Sequence, residues 1–329
     1  MSTRKIWNGT QWVQIGTSID DIEIVTSSAS AVDPSKLYFV ASGATPGDLV
    51  TFRVNGKLGS GVWFGGNELW TPTQQATGGT ETIIDVAGTP YRVHTFTTSG
   101  DFEVLIPSLS IEYLVVAGGG AGGYKPVTNY SGAGGGAGGV LTGAGLELVF
   151  GAHNITVGGG GIATIPGNNG ENSSISTLVT AIGGGKGGAN SPGGSGGSGG
   201  GAGYSSNFGA GTTGQGYAGG STTPTGPVYL IGAGGGGASS AGASVSSSSN
   251  TTPRANGGSG LSSSISGIAI TYASGGKGGA GTSHAQGNLN GDSGMPNIGS
   301  GGGGAGAGPS ATIGGQGGSG IVIIRYPAA

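Results

Sequence analysis

Three residue patterns in this sequence have the types and spacing for chemistry: serines between glycines, lysines between glycines, and carboxylates two residues apart. Gly193-Gly194-Ser195-Gly196-Gly197 fits the Gly-x-Ser-x-Gly spacing of a nucleophile elbow, and Gly196 to Gly200 repeats it. An elbow needs a hydrophobic strand before the serine and a helix after it, which hold the hydroxyl on a strained turn. Both matches lie inside a glycine tract, so the spacing reads as composition and not as a nucleophile. Lys186 and Lys277 each stand in Gly-Gly-Lys-Gly-Gly. A phosphate-cradling loop would place Ser or Thr next for magnesium, and a helix N-terminus for the phosphate. Neither follows here, and both lysines read as solvated edge residues.

The carboxylates are the remaining catalytic option. Asp101 and Glu103 share one face of an expected strand, and Asp20, Asp21 and Glu23 cluster near the start. Cleavage of a glycosidic bond needs two carboxyl groups several ångströms apart. In the glycine region, however, where a receptor would be met, the acids thin to Glu147, Glu171 and Asp292. His94, His153 and His284 have no histidine partner at metal-ligating spacing, and there is no cysteine, which removes thiolate sites and disulfides. The expectation is a protein that is not an enzyme and has no cofactor and no metal.

The elements that must position any functional side chain are set by glycine, which supplies 83 of the 329 residues where roughly 7% is ordinary. Charged residues make up 8% and the net charge is -3, with no cluster of Lys and Arg, so nucleic acid is not an expected partner. No apolar run follows Arg4 and Lys5, so the start does not read as a secretory signal. No stretch approaches the roughly eighteen apolar residues of a membrane helix, so membrane insertion is not expected.

Short runs rich in Val, Ile, Thr and Tyr punctuate the glycine from Thr80 onward, and these predict strands. They are Thr82–Val86, Tyr91–Thr97, Phe102–Ile106, Ile111–Ala117, Val140–Phe150, Asn154–Val157, Ile175–Ile182, Ile265–Tyr272 and Ile321–Tyr326. No window sustains a helical apolar period without an interrupting glycine. Between the runs lie tracts such as 118–139, 183–220 and 299–320. Disorder is one reading of them, because such segments bury little to offset chain entropy. Collagen is excluded, since Gly301 to Gly304 breaks a strict every-third-residue register. The third reading is a bundle of threefold polyglycine-II helices whose bare backbones approach closely enough to hydrogen-bond one another.

The first residues use a different grammar. Trp7 and Trp12 flank an Asn8-Gly9 turn signal, and Asn55-Gly56 marks a second hairpin. Three regions are expected: a docking segment at 1–35, a small β-hairpin module with linker at 36–79, and a glycine-rich domain at 80–329.

Particular stretches carry a resemblance. Residues 101–121 read DFEVLIPSLSIEYLVVAGGGA, Ile155 to Gly161 read ITVGGGG, and residues 314–326 read GGQGGSGIVIIRY. In this order they resemble the glycine-rich domain family of many phage structural proteins and of the extracellular part of anaplastic lymphoma kinase-type receptors. The resemblance implies an all-β fold: a TNF-like jelly-roll sandwich with polyglycine-II bundle insertions, beside a small N-terminal β attachment module. Arg4 to Val13 is similar to a short segment common at the start of phage fibre and appendage proteins.

These resemblances imply a virion-surface protein, a tail fibre or adhesin subunit, with a homotrimer as the expected assembly. Trp7 and Trp12 would dock on other virion proteins. A host-surface glycan or protein would meet the loops that interrupt the glycine tracts, through Tyr124, Lys125, Tyr130, Tyr204, Phe208, Tyr217, Tyr229 and Arg254. Aromatic rings beside Asn, Ser and Thr suit stacking on sugars or packing on a protein loop. Any one of these rings could instead seal a bundle edge. A purely architectural virion protein and a polysaccharide-degrading tailspike are the alternatives.

Overall fold

In a computed structural model, side chains and backbone are described for residues 74–125, 130–189, 191–203, 207–223, 231–246, 254–281, 289–310 and 313–328. Before residue 74, eight short strands are described by their backbone pairing. The chain divides into two compact units, one of residues 1–76 with 105–107 and 329, the other of 77–104 and 108–328.

In the first unit, β1 (Lys5–Trp7) and β2 (Trp12–Gln14) pair antiparallel, with Trp7 and Trp12 as register partners. The strands β3 (Asp21–Val25) and β4 (Lys36–Val40) pair parallel, joining residues on both sides of position 35. Asn55 and Gly56 lie between β5 (Arg53–Val54) and β6 (Lys57–Leu58), the two-residue hairpin that this dipeptide favours. A further pair is β7 (Trp63–Phe64) with β8 (Asn67–Glu68), followed by β9 (Ala76–Thr77).

The second unit is built on β10 (Thr80–Val86), β11 (Thr89–Phe96), β12 (Gly100–Val116), β13 (Val140–Thr156), β14 (Ser173–Ile175), β15 (Val179–Ala181) and β18 (Ile321–Pro327), with β16 (Leu261–Ser263) and β17 (Ile270–Tyr272) as a separate hairpin. The sheet runs β10-β11-β18-β12-β13-β14-β15, antiparallel throughout. At the β10–β11 turn, Ala87 and Gly88 have φ of 52° and 85°. Both central residues are left-handed, as a two-residue turn between twisted strands requires.

Two long strands replace four expected short ones. Pro107 reads as a break, but β12 continues past it because the register shifts between Val104 and Ser108. A bulge there releases the ladder position that proline cannot serve. A second shift, between Ile111 and Glu112, leaves Gly145 of β13 unpaired at φ 73°. Downstream, the run expected as one strand at Ile265–Tyr272 is instead the turn and second arm of the β16–β17 hairpin.

The middle of the sheet is buried on both faces. On one, Val93, Leu114, Val116, Val140, Ile321 and Ile323 pack with Ile265 and Tyr272. On the other, His94 stacks on Tyr326 at 5.5 Å and meets Phe102 edge-on at 5.1 Å. Strand β18, in the middle, is apolar on both sides and so reads as a continuous run, Ile321-Val322-Ile323-Ile324, not as an alternation. Each fully buried side chain of this size contributes about 1.5–3 kcal/mol. Arg325 fixes the register: its Nε and Nη2 donate to Glu112 Oε2 at 2.9 and 2.6 Å, and its guanidinium lies over the Tyr91 ring.

The glycine tracts are neither helix nor strand, and their backbone bonds run between segments. Along 118–123, successive amides donate to three different neighbours, and every third residue returns to the same one. Gly118 and Ala121 donate to Glu171 and Asn168, Gly119 and Gly122 to Gly318 and Gly315, and Gly120 and Gly123 to Gly136 and Ala133. The carbonyls of 118–123 accept from 184–187, from 302–305 and from Gly161, so this segment has six bonded neighbours. Segment 132–137 is surrounded in the same way, donating to 302–305, 185–188 and 233–236 and accepting from 276–279, 120–123 and 198–201.

Glycine is needed there for space and not for dihedral freedom. Among the described residues of 118–139, no glycine has a positive φ. A Cβ on Gly122, however, would sit 1.9 Å from the carbonyl oxygen of Gly303. Ordering a glycine costs about 0.5–1 kcal/mol more than ordering an alanine, and one net hydrogen bond of about 0.5–1.5 kcal/mol offsets it. An isolated tract has no such partner, so the segments are stable only as a set. No helix among the described residues is long and apolar enough to cross a membrane.

Candidate functional site

The glycine array has two distinct ends. At one, the segments meet the sheet: Ala117 N donates to Gly139 O, Gly139 N to Ile182 O, and Gly320 N to Gly158 O. Also at this end, Ala273 N donates to Ile298 O and Ala238 N to Ala273 O. At the other, Ala133 bonds Gly188, Gly188 bonds Gly201, Ala202 bonds Gly220, and Ala233 bonds Ala202. The same level continues through Ala243–Asn256, Gly278–Ala255, Gly304–Lys277, Ala307–Ala280 and Gly306–Leu289. The chain positions flanking 126–129, 204–206, 224–230, 247–253, 282–288 and 311–312 all stand at this second end, here called the loop end.

The array therefore brings together stretches far apart in sequence. Tyr124, Lys125, Tyr130 and Arg254 are at the loop end, each half-buried. Lys125 Nζ donates to the carbonyl of Gly308 at 2.9 Å and to that of Pro309 at 3.4 Å, tying two connections together. Arg254 pairs through Nη1 with Asp292 and donates from Nη2 to Asn290 O at 3.2 Å. Its side chain is 5% exposed while that of Asp292 is 73% exposed. Tyr204 and Tyr229 lie outside the described residues, as do Asn129 and His284 to Asn288.

Phe208 follows Asn207, which flanks 204–206 at the loop end, and is 48% exposed. Tyr217 is 51% exposed and lies on the adjoining segment, joined where Gly219 N donates to Gly209 O. It donates from its amide to Gly237 O, nearer the sheet, and so stands on the flank of the array. Trp7 and Trp12 are in the first unit, opposite one another on β1 and β2.

Two residues not singled out from sequence organise the loop end. Ser131 is buried, donates from Oγ to Gly279 O at 3.2 Å and accepts from Gly232 N at 2.7 Å, so it joins three segments. A serine among glycines carries no signal for this. Asp292 was legible in principle: between 187 and 324 the charged residues are Arg254, Lys277 and Asp292, and the acid of so sparse a set has few possible partners.

The chain belongs to the glycine-rich domain family. Its family description, "Glycine-rich domain", matches residues 97–327, more than half of the sequence. No curated protein matches the chain. The match runs from just before β12 to the last residue of β18, so it takes in the array and both of its ends.

The residues weighed for catalysis are dispersed in this glycine-rich domain. Ser195 is built into the array, where its Oγ accepts from Ala210 N at 3.2 Å and no helix follows. Asp101 and Glu103 sit on β12 opposite Asn154 and Ala152. His153 contacts Val149 O through Nε2 at 2.9 Å. Among the described residues no group of three or more His, Asp or Glu could hold a metal ion.

The buried histidine is structural. His94 Nδ1 lies 2.7 Å from Gly78 O, and Nε2 lies 3.0 Å from the Tyr326 hydroxyl. A carbonyl can only accept, so Nδ1 carries the hydrogen and Nε2 accepts from the phenol. Burial lowers its pKa, opposed by the Gly78 contact and by Glu81 and reinforced by Arg92. Elsewhere, the hydroxyls of Ser108 and Ser110 lower the pKa of Glu147, and burial raises that of Tyr272.

Proposed function

We propose that this chain is a phage-type virion surface protein without enzymatic activity, a tail fibre or adhesin subunit that presents receptor-binding loops on a rigid glycine scaffold. The observation that carries this reading is the convergence of the chain positions flanking six otherwise distant connections at the end of the array opposite the sheet. Loops on a stiff framework are where proteins place recognition.

In this reading the array is a polyglycine-II bundle, for which the return to the same neighbour at every third residue is the support. The sheet is one wall of a TNF-like jelly-roll sandwich, with the near end of the bundle against the face lined by Val116, Ile321 and Ile323. The β1–β2 segment with Trp7 and Trp12 docks on other virion proteins, and the assembled subunit is a homotrimer. Tyr124, Tyr130, Tyr204, Phe208 and Tyr229 contact a host-surface glycan or protein, while Tyr217 offers a lateral contact.

A purely architectural virion protein is the second reading. It is favoured by the internal engagement of Lys125 and Arg254, which spends two cations on the scaffold. The two readings separate in an adsorption assay. Purified full-length chain binds host cells and competes with the particle that carries it; an architectural protein does neither, and that outcome sinks the adhesin.

A further inference from the structure

We infer that the outer edge of β10 takes up an extended segment of a different protein, which adds one strand to the sheet and carries apolar residues opposite Ile83 and Ile84 and a basic residue opposite Asp85. This goes beyond the adhesin reading and does not depend on it. The two ends of the sheet are finished differently. At β15, Gln215 stands in for a further strand: its Oε1 accepts from Ile182 N at 2.8 Å and its Nε2 donates to Thr180 O at 3.2 Å. At the other end the sheet stops at β10. No described segment bonds the outward backbone of Ile83 or Asp85, and an open edge is a template for another chain.

Pro90 fixes which groups of β10 point outward. It is the register partner of Asp85, and its carbonyl accepts from Ala328 N at 2.8 Å, on the β18 side. Pro90 therefore turns its backbone away from β10, and the Asp85–Pro90 pair is not hydrogen-bonded. Bonded and unbonded pairs alternate along an antiparallel ladder. The N–H and C=O groups of Ile83 and Asp85 thus face away from β11, ready to bond a further strand.

The side chains along this edge describe the occupant. On one face of β10, Ile83 is 61% exposed. On the other, Ile84 packs against the core, a Cβ on Gly267 would lie 2.9 Å from its Cγ2, and the neighbouring Ile268 is 67% exposed. Apolar residues opposite Ile83 and Ile84 cover the first and extend the core beside the second. Glu81 is already paired with Arg92. Asp85 engages Oδ1 with Gly88 N at 2.9 Å, and a Lys or Arg opposite it supplies the opposite charge. A second copy fits poorly. Pairing β10 with itself about Ile83, the register that bonds every outward residue, sets Glu81 against Asp85 twice, and like charges opposite each other destabilise a ladder.

The test uses the full chain and the end-blocked peptide Thr-Lys-Ile-Val-Thr-Thr-Thr, whose antiparallel pairing sets Lys opposite Asp85, Ile opposite Ile84 and Val opposite Ile83. Fluorescence anisotropy reads binding, and single-residue amide exchange reads its place. The expected result is a Kd at or below about 1 mM, with exchange at Ile83 and Asp85 slowed about tenfold near saturation and exchange at Ile84, already bonded to β11, unchanged. Methylating the peptide's Val nitrogen removes the donor to Ile83 O, and replacing its Lys by Glu reverses the charge; each should weaken binding about tenfold. In the protein, Ile83→Pro removes the outward N–H at a position where an edge strand tolerates proline, and binding should be lost. Thermal unfolding checks that this variant folds, and the peptide series on the parent chain decides the question without it. No binding at about 1 mM, or binding that survives the N-methyl group within about twofold, overturns the inference. A dimer of the parent chain that Ile83→Pro converts to a monomer also overturns it, and gives the edge to a second copy.

Discussion

The sheet and the glycine array satisfy the same backbone in opposite ways. In the sheet, ladders pair neighbouring strands, and side chains such as Phe102, Leu114 and Ile323 fill both faces. In the array the side chains are absent, and the backbone itself fills space, bonding outward in several directions. A sheet can adapt by repacking its side chains. An array whose nearest neighbours are carbonyl oxygens has nothing to repack. The comparison teaches that glycine, the usual mark of a loose chain, becomes the least replaceable residue once six segments surround it.

The sharpest way to break this comparison is to add one side chain to a central segment. Gly122→Val puts a branched Cβ where the Gly303 oxygen lies 1.9 Å from an ideal Cβ. The expected loss is about 4 kcal/mol or more, in the range reserved for failures of the core. Soluble yield and thermal unfolding measure it, and a variant that melts like the parent would mean that the array does not hold 118–123 as described.

On the sheet side, His94 gives an intermediate effect that depends on pH. Its folded pKa is lowered, so between that value and the ordinary value of about 6.5 the unfolded chain binds more protons. Stability therefore rises with pH in that window: it is complete above about 6.5 and is lost as pH falls through the folded pKa. The groups around the imidazole are Glu81, which opposes the shift, and Arg92, which reinforces it. Denaturant titrations of parent and His94→Phe should differ in acid slope, the variant being flatter whatever its absolute stability. An unchanged slope would remove His94 as the source.

The smallest effect is expected from a glycine outside the array. Gly88 has nothing within 4 Å of a built Cβ, and its constraint is the φ of 85°. Gly88→Ala should cost about 1–2 kcal/mol, the strain of a left-handed alanine. If Gly88→Ala proves as damaging as Gly122→Val, the distinction between glycine for space and glycine for dihedral freedom loses its basis.

Strands were legible where a Val- and Ile-rich run met glycine directly, as at Ile321–Tyr326, because period and punctuation are local signals; at Ile265–Tyr272 the same signals hid a turn. The bulges were not. Pro107 reads as a stop in isolation, and only the opposite strand reveals that the ladder skips past it. Placement of β18 between β11 and β12 was also hidden, since pairing order is a property of the whole sheet. The glycine segments carry even less information about their neighbours. A strand announces its register through its side chains; 118–123 and 302–305 have almost none, and their pairing follows from where the strands anchor their ends. At the loop end, Tyr124, Lys125, Tyr130 and Arg254 were legible as a set of interrupting residues, whereas the internal bonds of Lys125 and Arg254 depend on that same long-range packing.

Strand β18 has a further consequence for how the molecule comes into being. Its neighbours were translated more than two hundred residues earlier, and it lies between them at the middle of the sheet. Such distant pairings close slowly, because the intervening chain must first be gathered. Until Ile321–Pro327 leaves the ribosome, β11 and β12 wait with an unfilled slot between them, each an open edge able to recruit a strand from another nascent chain. Strand β18 is thus the keystone, and a polypeptide cut short before it would be an adhesive fragment and not a smaller version of the protein.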